Sequence, residues 1–192
     1  MFFIITHLLT MLLKSLFLFF AVSTVTAATA AKNGNYTVNG LGQRKQEILN
    51  SGGAVFDLAI AMLETDDLST DYPYGDNKSG ESTNFGIFKQ NWLMLRTSAS
   101  QFKGQSAGDV KNGEVLNKDL KADIKARQES QEFFGTTKWF AGHRNGQSGL
   151  DNPDTEDIHN YMDGVNWIRD QLASDKKYLS DDTRFWVDVV AI

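Results

Sequence analysis

The sequence predicts a mainly helical α+β domain with at most a small sheet or hairpin, and three observations carry that prediction. The run Ala54-Val-Phe-Asp-Leu-Ala-Ile-Ala-Met-Leu63 is apolar almost all round and reads as a buried helix. Near the other end of the chain, Ile158, Tyr161, Val165, Ile168 and Leu172 recur at helical steps and form one inward face. Only the segment around 68–84 offers anything strand-like.

Taken in order, residues 1–30 carry a single charge, Lys14, and end in the small residues Ser23-Thr-Val-Thr-Ala-Ala-Thr-Ala30. This is the layout of a removable secretory signal. The stretch from Met11 has the same layout by itself, so translation can also begin there. Residues 31–42 are small and polar and read as a flexible lead-in, followed by one domain over 43–192. A first helix is expected over about 43–50, broken at Ser51-Gly-Gly53, and the buried helix ends at Glu64. Residues 66–84 form a loop or short hairpin. Phe85, Phe88, Trp92 and Leu95 have helical spacing and place the next helix from about residue 86. A charged amphipathic helix follows over about 117–134, with a solvated face between Lys118 and Glu132, and the last helix runs over about 154–174. The tail Phe185-Trp-Val-Asp-Val-Val-Ala-Ile192 alternates weakly and reads as a cover over the core.

Composition narrows the chemistry. Without Lys14 the domain has 18 basic and 24 acidic residues, a net charge of −6. That balance argues against nucleic acid and anionic lipid as partners and suits a neutral substrate. There is no cysteine, which excludes thiol catalysis and disulfides, so core packing alone must hold a secreted domain of this size. With only His7, His143 and His159 present, a multi-histidine metal cage is disfavoured, and no cofactor is expected.

Two carboxylates twelve places apart, Glu64 and Asp76, stand in contrasting surroundings. Glu64 closes the apolar helix, with Ala61, Ile60 and Phe56 on its face and the negative end of the helix dipole close by. Both effects disfavour the charged form, so a raised pKa is expected. Asp76 follows the turn-rich Asp71-Tyr-Pro-Tyr-Gly75 and is expected to stay ionised. A proton donor beside a carboxylate is the division of roles that glycosidic hydrolysis uses. Each also has a structural reading: a helix-end carboxylate bonded to a neighbour, and an ordinary turn aspartate. Asp66, Asp67 and Asp71 are rivals for the base role, although Asp66 and Asp67 lie too near the helix end to face Glu64 readily across a substrate.

The run Tyr72-Pro-Tyr-Gly-Asp-Asn-Lys-Ser-Gly-Glu-Ser-Thr-Asn-Phe-Gly-Ile-Phe-Lys-Gln-Asn-Trp92, preceded by Met62-Leu-Glu-Thr65 and followed by Trp139-Phe-Ala-Gly-His-Arg-Asn-Gly146, resembles glycoside hydrolase family 134. The resemblance implies a lysozyme-like fold with a small hairpin beside a cleft. It also implies secreted endo-β-1,4-mannanase activity with inversion at the anomeric carbon. The family's general acid and general base fall on Glu64 and Asp76. Ser79-Gly-Glu81 departs from the threonine and aspartate expected there. The partner implied is β-1,4-mannan or its oligosaccharides, the enzyme is expected to be an extracellular monomer, and no membrane association is expected once the signal is removed.

Among residues suited to sugars, Tyr74, Trp92 and Trp139 can stack on pyranose rings, while Asn84, Lys89, Gln90 and Asn91 can bond hydroxyls. Trp92 shares a helical face with Phe88 and Leu95, which favours a place in the core. His143, Arg144 and Asn145 sit in a Gly-bounded aromatic segment and read either as cleft wall or as hydrogen-bonding groups that pin a turn. Two other functions stay in view: a hydrolase of chitin or peptidoglycan using the same carboxylates, and a non-catalytic carbohydrate-binding protein. Asn35-Tyr-Thr37 and Asn77-Lys-Ser79 are glycosylation sequons, and a glycan on Asn77 would crowd the proposed base. Asn77 is therefore expected to be unmodified in active secreted protein, and full occupancy by intact-mass analysis would refute this.

Overall fold

The computed structural model describes residues 32–189, so the expected signal over residues 1–30 lies outside the described residues. Within them the order is β1 (Asn33–Thr37), α1 (Leu41–Asn50), α2 (Val55–Glu64), β2 (Asn84–Phe85), β3 (Gln90–Asn91), α3 (Trp92–Ser98), α4 (Leu120–Phe134), α5 (Thr136–Asp151), α6 (Glu156–Ser174) and β4 (Thr183–Val187). Three 3-10 segments join them, at Gly80–Ser82, Ala107–Asn117 and Lys176–Leu179. The fold is mainly helical with two small antiparallel pairs, β1 with β4 and β2 with β3. No helix among the described residues is long and apolar enough to cross a membrane.

The run that reads as a buried helix is one: Asp57 through Met62 are all buried. Its widest contact is with α6, whose Ile158, Tyr161, Val165, Ile168 and Leu172 point inward at the predicted steps. Asp57 Oδ2 accepts from the Ala54 N–H at 2.7 Å and so relieves one of the orphan donors at the start of α2. At the other end, Arg184 of β4 donates to the carbonyls of Met62 (2.8 Å), Asp66 (3.0 Å) and Thr65 (3.4 Å). A buried guanidinium thus satisfies carbonyls that the helix end leaves orphaned.

Several elements depart from expectation. Residues 33–37, read as part of a flexible lead-in, form β1 in register with β4, Asn33 opposite Val187 and Thr37 opposite Thr183. The weakly alternating tail is the partner strand. Lys45 of α1 fastens the same corner, its ammonium donating to the carbonyls of Tyr178, Asp181 and Thr183 at 2.7–2.8 Å. The helix expected from about residue 86 starts at Trp92 instead, because Gly86 and Lys89 take left-handed φ of 74° and 47° and turn the chain into the β2–β3 hairpin. Its apolar residues are buried all the same: Phe85, Trp92 and Leu95 join Phe102 and Leu116 in a second, smaller core, while Phe88 joins the main one. The strand-like segment itself contributes a bridge between Gly75 and Asn84, and Asn84 then opens β2. On α4 the charged face is not wholly solvated, since Asp123, Arg127 and Ser130 are buried.

Arg184→Met keeps the side-chain length but strips three carbonyls of their donor. It is expected to cost about 3 kcal/mol in urea unfolding, and a loss within error of zero would show that water substitutes for the guanidinium.

Candidate active site

Glu64 is the last residue of α2, and Thr65 leaves the helix with extended backbone at φ −137°. Its carboxylate therefore stands at the rim of the core, with a side chain 16% exposed. Both of its donors converge on Oε1: the Tyr161 hydroxyl from α6 and His143 Nε2 from α5, the latter at 3.1 Å. The imidazole is itself held. Trp139, one turn earlier on α5, stacks on it with centroids 4.9 Å apart and planes 5° from parallel. Asn91 Nδ2 donates to the carbonyls of Gly142 (2.9 Å) and His143 (3.3 Å). The Arg144 guanidinium lies 5.3 Å from the centre of the Tyr161 ring.

This surrounding corrects the expected raised pKa of Glu64. Burial pushes it up and is the largest single influence. The bonds from His143 and Tyr161, with the electrostatic influence of His143 and Lys89, outweigh burial together, and the carboxyl sits below its ordinary 4.5. The sequence showed the apolar face of α2 but not the donors that α5 and α6 bring to its end.

Asp76 is delivered by a turn closed by Asp76 N–H to Pro73 O (2.8 Å) and Lys78 N–H to Gly75 O (3.0 Å). Gly75, Asp76 and Asn77 take left-handed φ of 63°, 58° and 59°, a region that short polar side chains tolerate better than most. Gly75 is required for space as well: a Cβ there would lie 2.7 Å from Thr83 Cγ2. Lys89 Nζ reaches Asp76 Oδ1 at 3.1 Å. The Asn84 amide is 3.5 Å from Oδ2, and in its other orientation its NH2 donates to the carbonyls of Ser82 and Lys89 at 3.1 and 3.2 Å. Glu81, at the departure from the family pattern, is turned away to Arg96, whose Nε lies 2.6 Å from Oε1.

Glu64 and Asp76 line one cavity of about 250 Å³, together with Asn84, Lys89, His143 and Arg144. Val187 and Val189, at and just after the end of β4, form an apolar part of its wall. A second cavity of about 520 Å³ shares Lys78, Asn84, His143 and Arg144 with the first and continues past Asn91 and Asn145 to Ser148. A third, of about 340 Å³, shares Glu64 and Lys89 and runs to Asp66, Asp67 and Asp71. The result is a polar groove with the two carboxylates in its middle part. The rival aspartates lie along one arm.

Three residues expected at the sugar, Gln90, Trp139 and Tyr74, are elsewhere. Gln90 is 2% exposed and donates to Asp123 Oδ1 at 2.7 Å, because the hairpin turns it inward toward α4. Trp139 is 1% exposed and supports His143 from behind instead of stacking on a ring in the cleft. Tyr74, 52% exposed, packs edge-on against Phe85 with centroids 6.0 Å apart and lies outside the three cavities. Asn145 donates to Asp157 at 2.9 Å just before Gly146, whose φ of 56° kinks α5. Tyr161, Tyr72 and Asp123 were not singled out in the sequence as site residues. Tyr161 did carry a signal, since a tyrosine on an inward apolar face needs a partner for its hydroxyl.

Paired carboxylates in a polar groove, one of them gripped by protein donors and the other held by a lysine, are the equipment of a glycoside hydrolase. The sequence pattern of Glycosyl hydrolase family 134 matches residues 42–189, and the chain belongs to that family. Its mainly helical α+β architecture is of the lysozyme-like kind. No curated protein matches the chain.

Tyr161 remains protonated, since burial and then the charge of Glu64 hold its hydroxyl well above the ordinary range. Tyr161→Phe removes a donor that favours the ionised form of Glu64, so burial gains ground and the carboxyl pKa rises. With Glu64 as the proton donor that the sequence leads one to expect, the alkaline limb of the kcat/KM profile, where that acid loses its proton, is expected to move to higher pH. A limb that stays in place or moves to lower pH would show that this bond does not tune the acid.

Proposed function

We propose that this glycoside hydrolase is a secreted, monomeric endo-β-1,4-mannanase that acts with inversion. The observation that carries the reading is the shared cavity of Glu64 and Asp76, continued by a groove in both directions. A polymer can lie across such a groove and be cut within its length. Membership of family 134 supports linear β-1,4-mannan as the substrate class.

In this reading Glu64 gives its proton to the glycosidic oxygen as the bond to the anomeric carbon breaks. Asp76 takes a proton from a water that attacks that carbon from the opposite ring face, so the released sugar begins as the α-anomer. In the free protein His143 and Tyr161 oppose protonation of Glu64. A sugar filling the cavity displaces water from the carboxyl and favours the neutral, proton-giving form. Lys89 orients Asp76 through the ion pair at 3.1 Å. Neutral hydroxyls suit Asn84, Asn145 and Arg144 along the larger arm, whereas the Asn91 amide is taken up by the Gly142 and His143 carbonyls and by Met94 N–H. The aspartates of the other arm disfavour an anionic polymer such as peptidoglycan.

Products from linear mannooligosaccharide are to be followed by NMR with the wild-type protein and with Glu64→Gln, whose amide cannot supply the proton. The expected result is α-anomer appearing first with wild type, and turnover lowered at least ~10³-fold in the variant with binding kept. β-Anomer first would exclude inversion. Release from chitin or peptidoglycan but not from mannan would reassign the substrate, and no release from any of them would favour a binding protein.

A further inference from the structure

The turn between β2 and β3 places Lys89 in the groove with a backbone conformation that lysine does not favour, φ 47°. Something must hold it there, and the holding groups come from outside the hairpin. Asp123 of α4 is fully buried, and its carboxylate sits inside the turn. Oδ2 accepts from the Ile87 N–H at 2.7 Å and Oδ1 from Gln90 Nε2 at 2.7 Å, while Gln90 Nε2 also reaches the Asp123 carbonyl at 3.0 Å. Gly86 is the closest point of approach. A Cβ there would fall 1.9 Å from Asp123 Oδ1, so the chain wraps the carboxylate without room for a side chain. Two further groups grip the same residue: the Gly86 N–H donates to Asn117 Oδ1 at 2.7 Å, and the Tyr72 hydroxyl donates to the Gly86 carbonyl at 2.7 Å.

The far end of this turn faces the groove. Lys89 Nζ stands 3.1 Å from Asp76 Oδ1 and 5.2 Å from the centre of the Tyr72 ring. A buried carboxyl, with Asn117 and Tyr72 beside it, therefore organises the short loop that carries the cation on the proposed base. We propose that Asp123 is a positioning residue for hydrolysis, acting through the Gly86–Lys89 turn to fix Lys89 against Asp76. This rests on the assignment of Asp76 as base, but the placement of Lys89 can be measured without it. Burial in this setting also pushes the Asp123 carboxyl up to about 8, against the bonds from Gln90 and Ile87 and the charge of Arg127. The fold thus maintains a costly group in the core, and its bonds are to the turn.

Two readouts test the proposal. In folded protein labelled with 15N-lysine, the Lys89 side-chain resonance is assigned by its absence in Lys89→Met. It is expected to shift on Asp123→Asn and on Asp76→Asn alike. Unfolding is followed in parallel, and Gln90→Met, which removes the bonds to Asp123 Oδ1 and to the Asp123 carbonyl but leaves the carboxyl and its bond from Ile87, serves if Asp123→Asn does not fold. A Lys89 resonance unmoved by a folded Asp123 or Gln90 variant overturns the proposal, whatever the protein hydrolyses. The second readout is a double-mutant cycle on the polymer that the wild type cuts. Asp123→Asn is expected to lower kcat ~10–100-fold with KM changed less than ~3-fold, and to add almost nothing in the Lys89→Met background. Losses that multiply independently would assign Asp123 a general structural role and overturn the proposal. Retained turnover in Asp76→Ala, with the resonance shift intact, would remove the base assignment and leave the positioning of Lys89 standing.

Discussion

The structure depends on how α2 is allowed to end. A helix buried along nearly its whole length cannot leave its last carbonyls to water, and those of Met62 and Thr65 are met by the Arg184 guanidinium, with Asp66 beyond them. Because that arginine belongs to β4, the strand at the far end of the domain fixes where α2 stops. Glu64 is the first side chain past the apolar run, so the same cap decides where its carboxylate stands. Burial, the hydroxyl of Tyr161 and the imidazole of His143 then act on a group already fixed in space.

The two carboxylates are held by different physics. Glu64 is placed by a rigid helix and by donors on two others, and its protonation reflects a contest between burial and hydrogen bonding. Asp76 is placed by a turn whose backbone lies in the left-handed region at three successive residues, and its partner Lys89 sits on another turn with left-handed φ at Gly86 and at Lys89 itself. Neither loop is stabilised by regular pairing over any length. The Lys89 turn takes its order from side chains reaching in from elsewhere, chiefly Asp123, Asn117 and Tyr72, and the Asp76 turn from its own backbone bonds. Such devices let one wall of the groove be shaped independently of the core that carries the other.

The sequence was most legible where the signal is local and periodic. The apolar run of α2 and the inward face of α6 could be read because burial leaves its imprint every three or four residues. The pairing of β1 with β4 could not, since the strands are separated by almost the entire domain and neither alternates strongly. The same limit applies to the hairpin at 84–91: Phe85, Phe88, Trp92 and Leu95 satisfy a helical pattern and are buried, yet Gly86 and the distant Asp123 carboxylate impose a turn. For Glu64 the apolar setting was readable from its own helix, whereas the donors that reverse the pKa direction lie 79 and 97 residues away. Gln90 and Trp139 were misplaced for a related reason. Residue type says that a side chain can bond or stack on a sugar, and only the packing says which way it faces.

The antiparallel pairing of β1 with β4 bears on how the enzyme comes into being. Val187 and Val189 form part of the wall around Glu64, and Arg184 caps the helix that presents it, so the Glu64 side of the groove needs the segment made last among those described. As the chain emerges from N- to C-terminus, α2, the Asp76 turn and the hairpin can all form before any enclosed cavity exists. Long-range strand closure is the slow kind of contact to make. A growing or truncated chain lacking β4 would thus carry both carboxylates and have no finished cleft, which ties the onset of activity to completion of the domain.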